Sequence, residues 1–156
     1  MPRTVAVDKI KAAVDAKTSD DFMVIGRTDA GGSLGQEEAL ARAVAFQDAG
    51  ADAVLVAAIL DGDGWSFLRT EVHVPVFALD EPGQPAQALG DKGADAVIYY
   101  AATHFAAEHA IRNVLSGLAQ TGSTTNWADT LPSMAEFDAF LDIEKARDDA
   151  RRWGLL

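Results

Sequence analysis

Gly50-Ala51-Asp52-Ala53-Val54 recurs as Gly93-Ala94-Asp95-Ala96-Val97, forty-three positions later. Each copy follows a helix-like segment and opens a short apolar run, Leu55-Val56-Ala57-Ala58 in the first and Ile98-Tyr99-Tyr100 in the second. Glycine suits the left-handed residue that ends a helix. An apolar run without alternation reads as a strand buried on both faces, the habit of parallel sheets. The echo is therefore a repeated helix–turn–strand unit. Two further strands fit the same scheme: Phe22-Met23-Val24-Ile25-Gly26, after the polar turn Thr18-Ser19-Asp20-Asp21, and Val74-Pro75-Val76-Phe77-Ala78-Leu79. Pro75 is tolerated near a strand start, where a missing N–H costs least. Four strands with helices between them indicate βαβ units and an α/β fold with a parallel sheet.

The helices follow from periodicity. Residues 5–16 place Val7, Ile10 and Val14 on one face. Residues 36–49 follow Ser33-Leu34-Gly35-Gln36, which has the form of a capping box. Helices are also expected at 64–71, 84–92 and 103–120, the last with Phe105, Ile111, Val114, Leu115 and Leu118 toward its buried side. A last helix over 133–151 carries Met134, Phe137, Phe140, Leu141 and Ile143 on an apolar stripe that must dock, on this chain or on another. An eight-stranded (β/α) barrel typically needs about 250 residues. The 156 residues here form one partial domain, a (β/α)4 half of a TIM-type barrel with a C-terminal helix. A half barrel has two unpaired strand edges, which favour association.

Composition bounds the function. With 49% hydrophobic and 24% charged residues the chain is globular, and no apolar run reaches the ~18–20 residues of a membrane helix. The opening MPRTVAVDKIKAAVD lacks the apolar centre of a secretory signal. A net charge of −11 repels a phosphate backbone, which argues against nucleic acid as a partner. The absence of cysteine excludes disulfides, thiolate metal sites and cysteine nucleophiles, and fits a cytoplasmic protein.

The first strand ends in Gly26-Arg27-Thr28-Asp29-Ala30. Lys9-Ile10-Lys11-Ala12-Ala13-Val14-Asp15-Ala16 precedes it and Glu37-Glu38-Ala39-Leu40-Ala41-Arg42-Ala43 follows it. Together these segments resemble the isocitrate lyase/phosphoenolpyruvate mutase superfamily, and most closely its methylisocitrate lyase-like branch. The likeness continues through Ala49–Ala53, Val74-Pro75-Val76, Val97-Ile98-Tyr99, Ala119-Gln120-Thr121-Gly122 and Ala135-Glu136-Phe137. It implies strands five to eight of the family's barrel. It also implies Mg²⁺-dependent cleavage or formation of a C–C or C–P bond in 2-oxo or 2-hydroxy carboxylates, with the metal stabilising an enolate. The family's metal carboxylates lie in a D-x-D-x-G-x-G segment and an E-D segment, and its catalytic loop carries a K-x-C-G-H-type motif. None of these is present here. Arg27 matches the family's substrate-binding arginine. A family glutamate falls at Ala57, an asparagine at Leu79, and a threonine–glutamate pair meets Asp80-Glu81-Pro82 out of register. The resemblance thus implies a truncated or divergent member, incomplete as this chain alone. The alternatives are a non-catalytic self-associating module and a small-carboxylate-binding protein. The expected partners are a small carboxylate and either a second copy or a missing N-terminal half.

The candidate site residues are Arg27, Thr28 and Asp29 for substrate. Arginine's planar fork matches a carboxylate or phosphonate bidentately, and the competing role is an ion pair with Asp29. Thr28 and Asp29 also suit turn formation. Asp80 and Glu81 are the candidates for Mg²⁺, set against a solvated turn. Gly31-Gly32-Ser33-Leu34-Gly35 reads as a flexible loop and Asp61-Gly62-Asp63-Gly64 as a turn. His104 and Glu108 share a helix face and suit a surface salt link. Trp65, Trp127, Trp153 and Tyr99-Tyr100 suit core or interface positions.

Overall fold

The computed structural model describes residues 1–81 and 83–156. Two compact units are present, Met1–Ala101 and Ala102–Leu156. In chain order the first holds α1 (Arg3–Asp15), β1 (Ile25–Thr28), α2 (Gly31–Leu34), α3 (Gln36–Asp48), β2 (Ala53–Val56), α4 (Gly62–Glu71), β3 (Val76–Leu79), α5 (Ala86–Lys92) and β4 (Ala96–Ile98). The second holds α6 (Ala102–Thr121), a 3₁₀ turn at Thr125–Trp127, α7 (Met134–Phe140) and α8 (Ile143–Arg152).

The strands form one parallel sheet in the order β1-β2-β3-β4. This is the (β/α)4 arrangement expected from the echo. Both glycines of the echo sit just past a helix with positive φ, 93° at Gly50 and 118° at Gly93. Each aspartate of the echo then does the same work. Val24 N–H donates to Asp52 Oδ2 at 2.7 Å while Asp52 N–H donates to Val24 O at 2.8 Å. Val76 N–H donates to Asp95 Oδ2 at 2.8 Å while Asp95 N–H donates to Val76 O at 2.8 Å. Each clasp ties the entry of one strand to the entry of the next. Lys17 Nζ adds a bond to Asp52 Oδ1 at 2.9 Å. The Val24 N–H first, and Lys17 second, hold the Asp52 carboxyl below its usual range.

The helices pack on one face of the sheet. Leu40, Ala43 and Phe46 of α3, Trp65 and Leu68 of α4 and Leu89 of α5 meet Val54, Val56, Val76 and Ala78. Gly26 faces the same layer, and its missing side chain lets Phe46 approach; a Cβ there would lie 2.7 Å from Phe46 Cβ. The residues that alternate with these, Ile25, Arg27, Leu55, Phe77, Leu79 and Ile98, point to the other face. Ile25 and Ile98, on the outer strands, are 40% and 39% exposed. The strands β1 and β4 each have a neighbour on one side only. Arg3 and Arg42 both bind Glu38 and staple α1 to α3; Arg42 also donates to Met1 O at 2.8 Å.

Several local expectations change. Strand β1 begins at Ile25 rather than Phe22, because Val24 is committed to the Asp52 clasp and pairing starts with Ile25 opposite Ala53. Strand β4 ends at Ile98, before the tyrosines. The glycine-rich segment forms a one-turn helix, α2, with Ser33 inside it, so no capping box forms at Ser33. Gly35, at φ 88°, starts α3 instead, and the Gln36 side chain turns to Asp61. Asp61 accepts from Gly64 N–H at 2.8 Å and caps α4, which makes this acidic segment a helix start. The expected helix over 133–151 is two helices, with Asp142 at φ 51° breaking the ladder. No residue of α6 is buried; Phe105, Ile111 and Leu115 are all exposed. Among the described residues no helix is long and apolar enough to cross a membrane.

Two outcomes test this packing. Gly26→Ala forces Phe46 aside and is expected to lower unfolding stability by about 1–3 kcal/mol in urea titration. Its partial rescue by Phe46→Leu would place the clash. The Glu38 carboxyl, held at about 2 by Arg3 and then Arg42, is charged in the fold well below the usual 4.5. A depressed carboxyl stabilises above its unfolded pKa and loses that contribution as pH falls through the folded one. The stability gap between wild type and Glu38→Gln is therefore expected to be full at neutral pH and to close between about pH 4.5 and 2.

Candidate functional site

In a parallel sheet the strand C-termini and the loops after them make the mouth where ligands bind. Here that edge carries Arg27-Thr28-Asp29 after β1, Ala57-Ala58-Ile59 after β2, Asp80 and Glu81 after β3 and Tyr99-Tyr100 after β4. Parallel register brings Arg27 beside Leu55 and Leu79 beside Ile98.

Arg27 stands on the helix-free face, with its side chain 55% exposed. Its Nε donates to Asp29 Oδ2 at 3.1 Å and its terminal nitrogen to Asp29 Oδ1 at 2.7 Å. This is the two-pronged fork that a guanidinium offers any carboxylate. The hydrogen bonds raise the Arg27 pKa and lower that of Asp29. The ion pair weighed as the competing role is thus formed, and the guanidinium shows that it can seat a carboxylate at this edge. Thr28, by contrast, is buried, 4% exposed. Its Oγ1 accepts from Ala30 N–H at 3.2 Å and its carbonyl accepts from Ala57 N–H at 2.9 Å. Thr28 shapes the turn that presents Arg27.

Beside this pair lies a pocket of about 240 Å³ lined by Ala57, Ala58, Ile59, Leu79, Asp80, Glu81 and Tyr100. Its walls come from three sequence segments, and they include Asp80 and Glu81 together with Ala57 and Leu79, the positions where the resemblance places a family glutamate and asparagine. These residues and Tyr100 come together because β2, β3 and β4 end side by side. Asp80 N–H donates to Ile98 O at 3.1 Å, which extends the β3–β4 ladder by one step. Asp80 Oδ1 is buried with no hydrogen-bond partner among the described residues. Glu81 accepts from Lys92 Nζ at 3.3 Å. Pro82, the third residue of that segment, lies outside the described residues.

Magnesium needs octahedral oxygen ligands, and proteins usually hold it by one or two carboxylates with waters or substrate oxygens. Among the described residues no three His, Asp or Glu side chains converge. Asp80 and Glu81 are the carboxylates of this pocket, Glu81 is already engaged by an ammonium group, and the other walls are Tyr100 and apolar side chains. Among the described residues the donor set does not complete a Mg²⁺ centre. On α6, Glu108 pairs with Arg112 rather than His104; both lie one turn away, but a carboxylate N-terminal to the cation is the favoured order and the guanidinium is always charged. His109 Nε2 meets Asn113 Nδ2 at 3.0 Å. Trp65 is in the core, whereas Trp153 is exposed with Arg152 over its ring at 5.6 Å, and Trp127 covers Gly117.

Because both partners are well exposed, the Arg27–Asp29 pair contributes little to folding. A double-mutant cycle over Arg27→Ala and Asp29→Ala is expected to give a coupling below about 1 kcal/mol, read from urea unfolding.

Comparison with known proteins converges on the same architecture. The 2-methylisocitrate lyase of Shewanella oneidensis is 35% identical over 147 residues, 91% of this chain and 50% of that protein. The 2,3-dimethylmalate lyase of Eubacterium barkeri is 30% identical, again over 91% of this chain and 51% of its own length. The solved structure of phosphonopyruvate hydrolase in complex with oxalate and Mg²⁺ superposes with a TM-score of 0.81 at 28% identity, covering 98% of this chain and 56% of that one. The chain spans about half the length of the curated relatives it matches. The family model for phosphoenolpyruvate phosphomutase matches residues 1–119. The chain therefore belongs to the phosphoenolpyruvate phosphomutase family, in the superfamily of isocitrate lyase-like lyases and mutases built on the TIM barrel.

Proposed function

We propose that this chain is the carboxylate-seating half of a lyase or mutase site that is completed by a second polypeptide segment. The observation that carries this reading is the fork of Arg27 on Asp29. Asp29 occupies the position that the carboxylate of a small 2-oxo or 2-hydroxy acid would take. The exchange is inexpensive, since an exposed pair is worth no more than about 1 kcal/mol. A relative at 28% identity is a phosphonopyruvate hydrolase solved with oxalate, a ligand of this size and charge. Binding here orients one carboxylate at the end of β1 and presents the rest of the molecule toward the strand mouth.

The same mouth argues against turnover by this chain alone. Ala57 and Leu79 offer no proton donor or acceptor beyond their backbone, and among the described residues the donor set does not complete a Mg²⁺ centre. Acid groups from elsewhere would be required, and the one-sided strands β1 and β4 are where a complementary (β/α) unit would pair. That unit has the role of the half of the relatives that this chain does not match. A second reading, a non-catalytic self-associating module, draws support from the exposed apolar side chains Phe105, Ile111 and Leu115 of α6 and Met134 and Phe140 of α7.

Two measurements on the purified chain separate these readings. With Mg²⁺ and 2-methylisocitrate, pyruvate release is expected to stay at background. Turnover abolished by Arg27→Ala would instead mean a complete site. Oxalate is expected to raise the melting temperature of wild type and not of Arg27→Ala, because a ligand of the native state stabilises it. Equal responses would remove the Arg27 seat. Sedimentation showing a concentration-dependent dimer, with no oxalate response, would favour the module.

A further inference from the structure

A second crevice lies on the opposite side of the sheet, in the helix layer between α4 and α5. Its volume is about 290 Å³, and its walls include Trp65, Ser66, Arg69, Asp91 and Lys92. Three features set it apart. Trp65 is 6% exposed, and its Nε1 has no hydrogen-bond partner among the described residues. A buried N–H without an acceptor costs about 1–3 kcal/mol, so the indole donor is an open valence of the fold. Arg69 stands one helical turn beyond Trp65, on the same face of α4. It forms no ion pair among the described residues, although acids outnumber bases 24 to 13. Its aliphatic stem is pinned over Gly93, where a Cβ would lie 2.5 Å from Arg69 Cγ, so the backbone glycine of the second echo makes room for it.

Of the two cations at the crevice, Arg69 is the one without an ion pair among the described residues. Lys92 adds an ammonium that is held only at 3.3 Å by Glu81, and Ser66 adds a hydroxyl. The one opposing group in the wall, Asp91, accepts from Gln87 Nε2 at 2.8 Å. Arg69 and Lys92 are matched in charge by Asp91 and Glu81, and the donors left free among the described residues are the Arg69 guanidinium and the Trp65 indole N–H.

We propose that the α4–α5 crevice binds a small oxyanion, a phosphate or carboxylate group, through the Arg69 fork with Trp65 Nε1–H, Ser66 and Lys92 as further donors. The site is separate from the Arg27 edge, which lies on the helix-free face. Guanidinium recognition of either oxyanion uses the same two-pronged geometry.

The test uses the whole chain labelled with ¹⁵N, at constant ionic strength so that general screening does not contribute. Inorganic phosphate and succinate are titrated separately while the indole N–H signals are followed, with Trp65→Phe identifying the Trp65 signal. A saturable shift of that signal is expected with at least one of the two, and the responding probe names the source of the oxyanion. Arg69→Gln, which keeps the stem over Gly93, is expected to weaken the response about tenfold or more, the usual size of one lost charge-assisted contact. Arg27→Ala is expected to leave it unchanged, so the crevice and the Arg27 seat fail independently. No saturable shift with either probe, or an Arg69→Gln titration that matches wild type, overturns the proposal. A thermal-shift titration of the same variants guards against a signal lost for spectral reasons, since specific binding raises the melting temperature.

Discussion

The register of the two outer strand pairs, β1–β2 and β3–β4, rests on two aspartates. A parallel sheet has no hairpin to fix how one strand lies against the next, and a slip of one residue would exchange its faces. Asp52 and Asp95 remove that freedom. Each closes a two-bond ring with the residue that enters the neighbouring strand, one bond from its own N–H and one to its carboxylate. The glycine two positions earlier turns the chain out of the helix so that the aspartate arrives at the strand entry. Once the entries are tied, Ile25 falls opposite Ala53 and Phe77 opposite Ala96, and every later side chain has its face assigned.

The mouth inherits that register. Arg27 faces away from the helices because Gly26, one residue before it, must face Phe46. Asp80 comes beside Tyr100 because its N–H continues the β3–β4 ladder. The result is an edge with one guanidinium, one carboxylate already seated on it and a neighbouring pocket whose polar walls are both acidic. Such an edge can hold an anion at β1. Among the described residues no three His, Asp or Glu side chains converge there, and the chain spans about half the length of its lyase relatives.

The helix layer has a different economy. Its interior is closed by small residues, Ala39 and Ala43 of α3 against the sheet, and by the fit of Phe46 on Gly26. Toward α5 the layer is less complete. Leu68 and Leu89 are fully covered, yet the buried indole nitrogen of Trp65 is without an acceptor among the described residues. Unsatisfied donors of this kind are uncommon in native folds, which is why they are informative.

The sequence by itself determined the parallel α/β scheme, the superfamily likeness and the lack of the metal and catalytic-loop motifs. These are written in local chemistry: glycine that accepts positive φ, apolar runs of strand length, and residue types in fixed order. The chemistry of the aspartates in the echo was not legible, because their partners stand 28 and 19 residues away. Ser33 looked like a helix cap by spacing, but a one-turn helix took its backbone and Gln36 found Asp61 across 25 residues. The break at Asp142 was hidden within an unbroken helical pattern. Only the tertiary structure decided that Arg27 is paired with Asp29 while Thr28 is buried, that Ala57, Asp80 and Tyr100 share one pocket, and that the Trp65 indole N–H has no acceptor among the described residues. The physical reason is that spacing along the chain reports which face a residue takes, whereas satisfaction of a charge or an N–H depends on what another element brings to it.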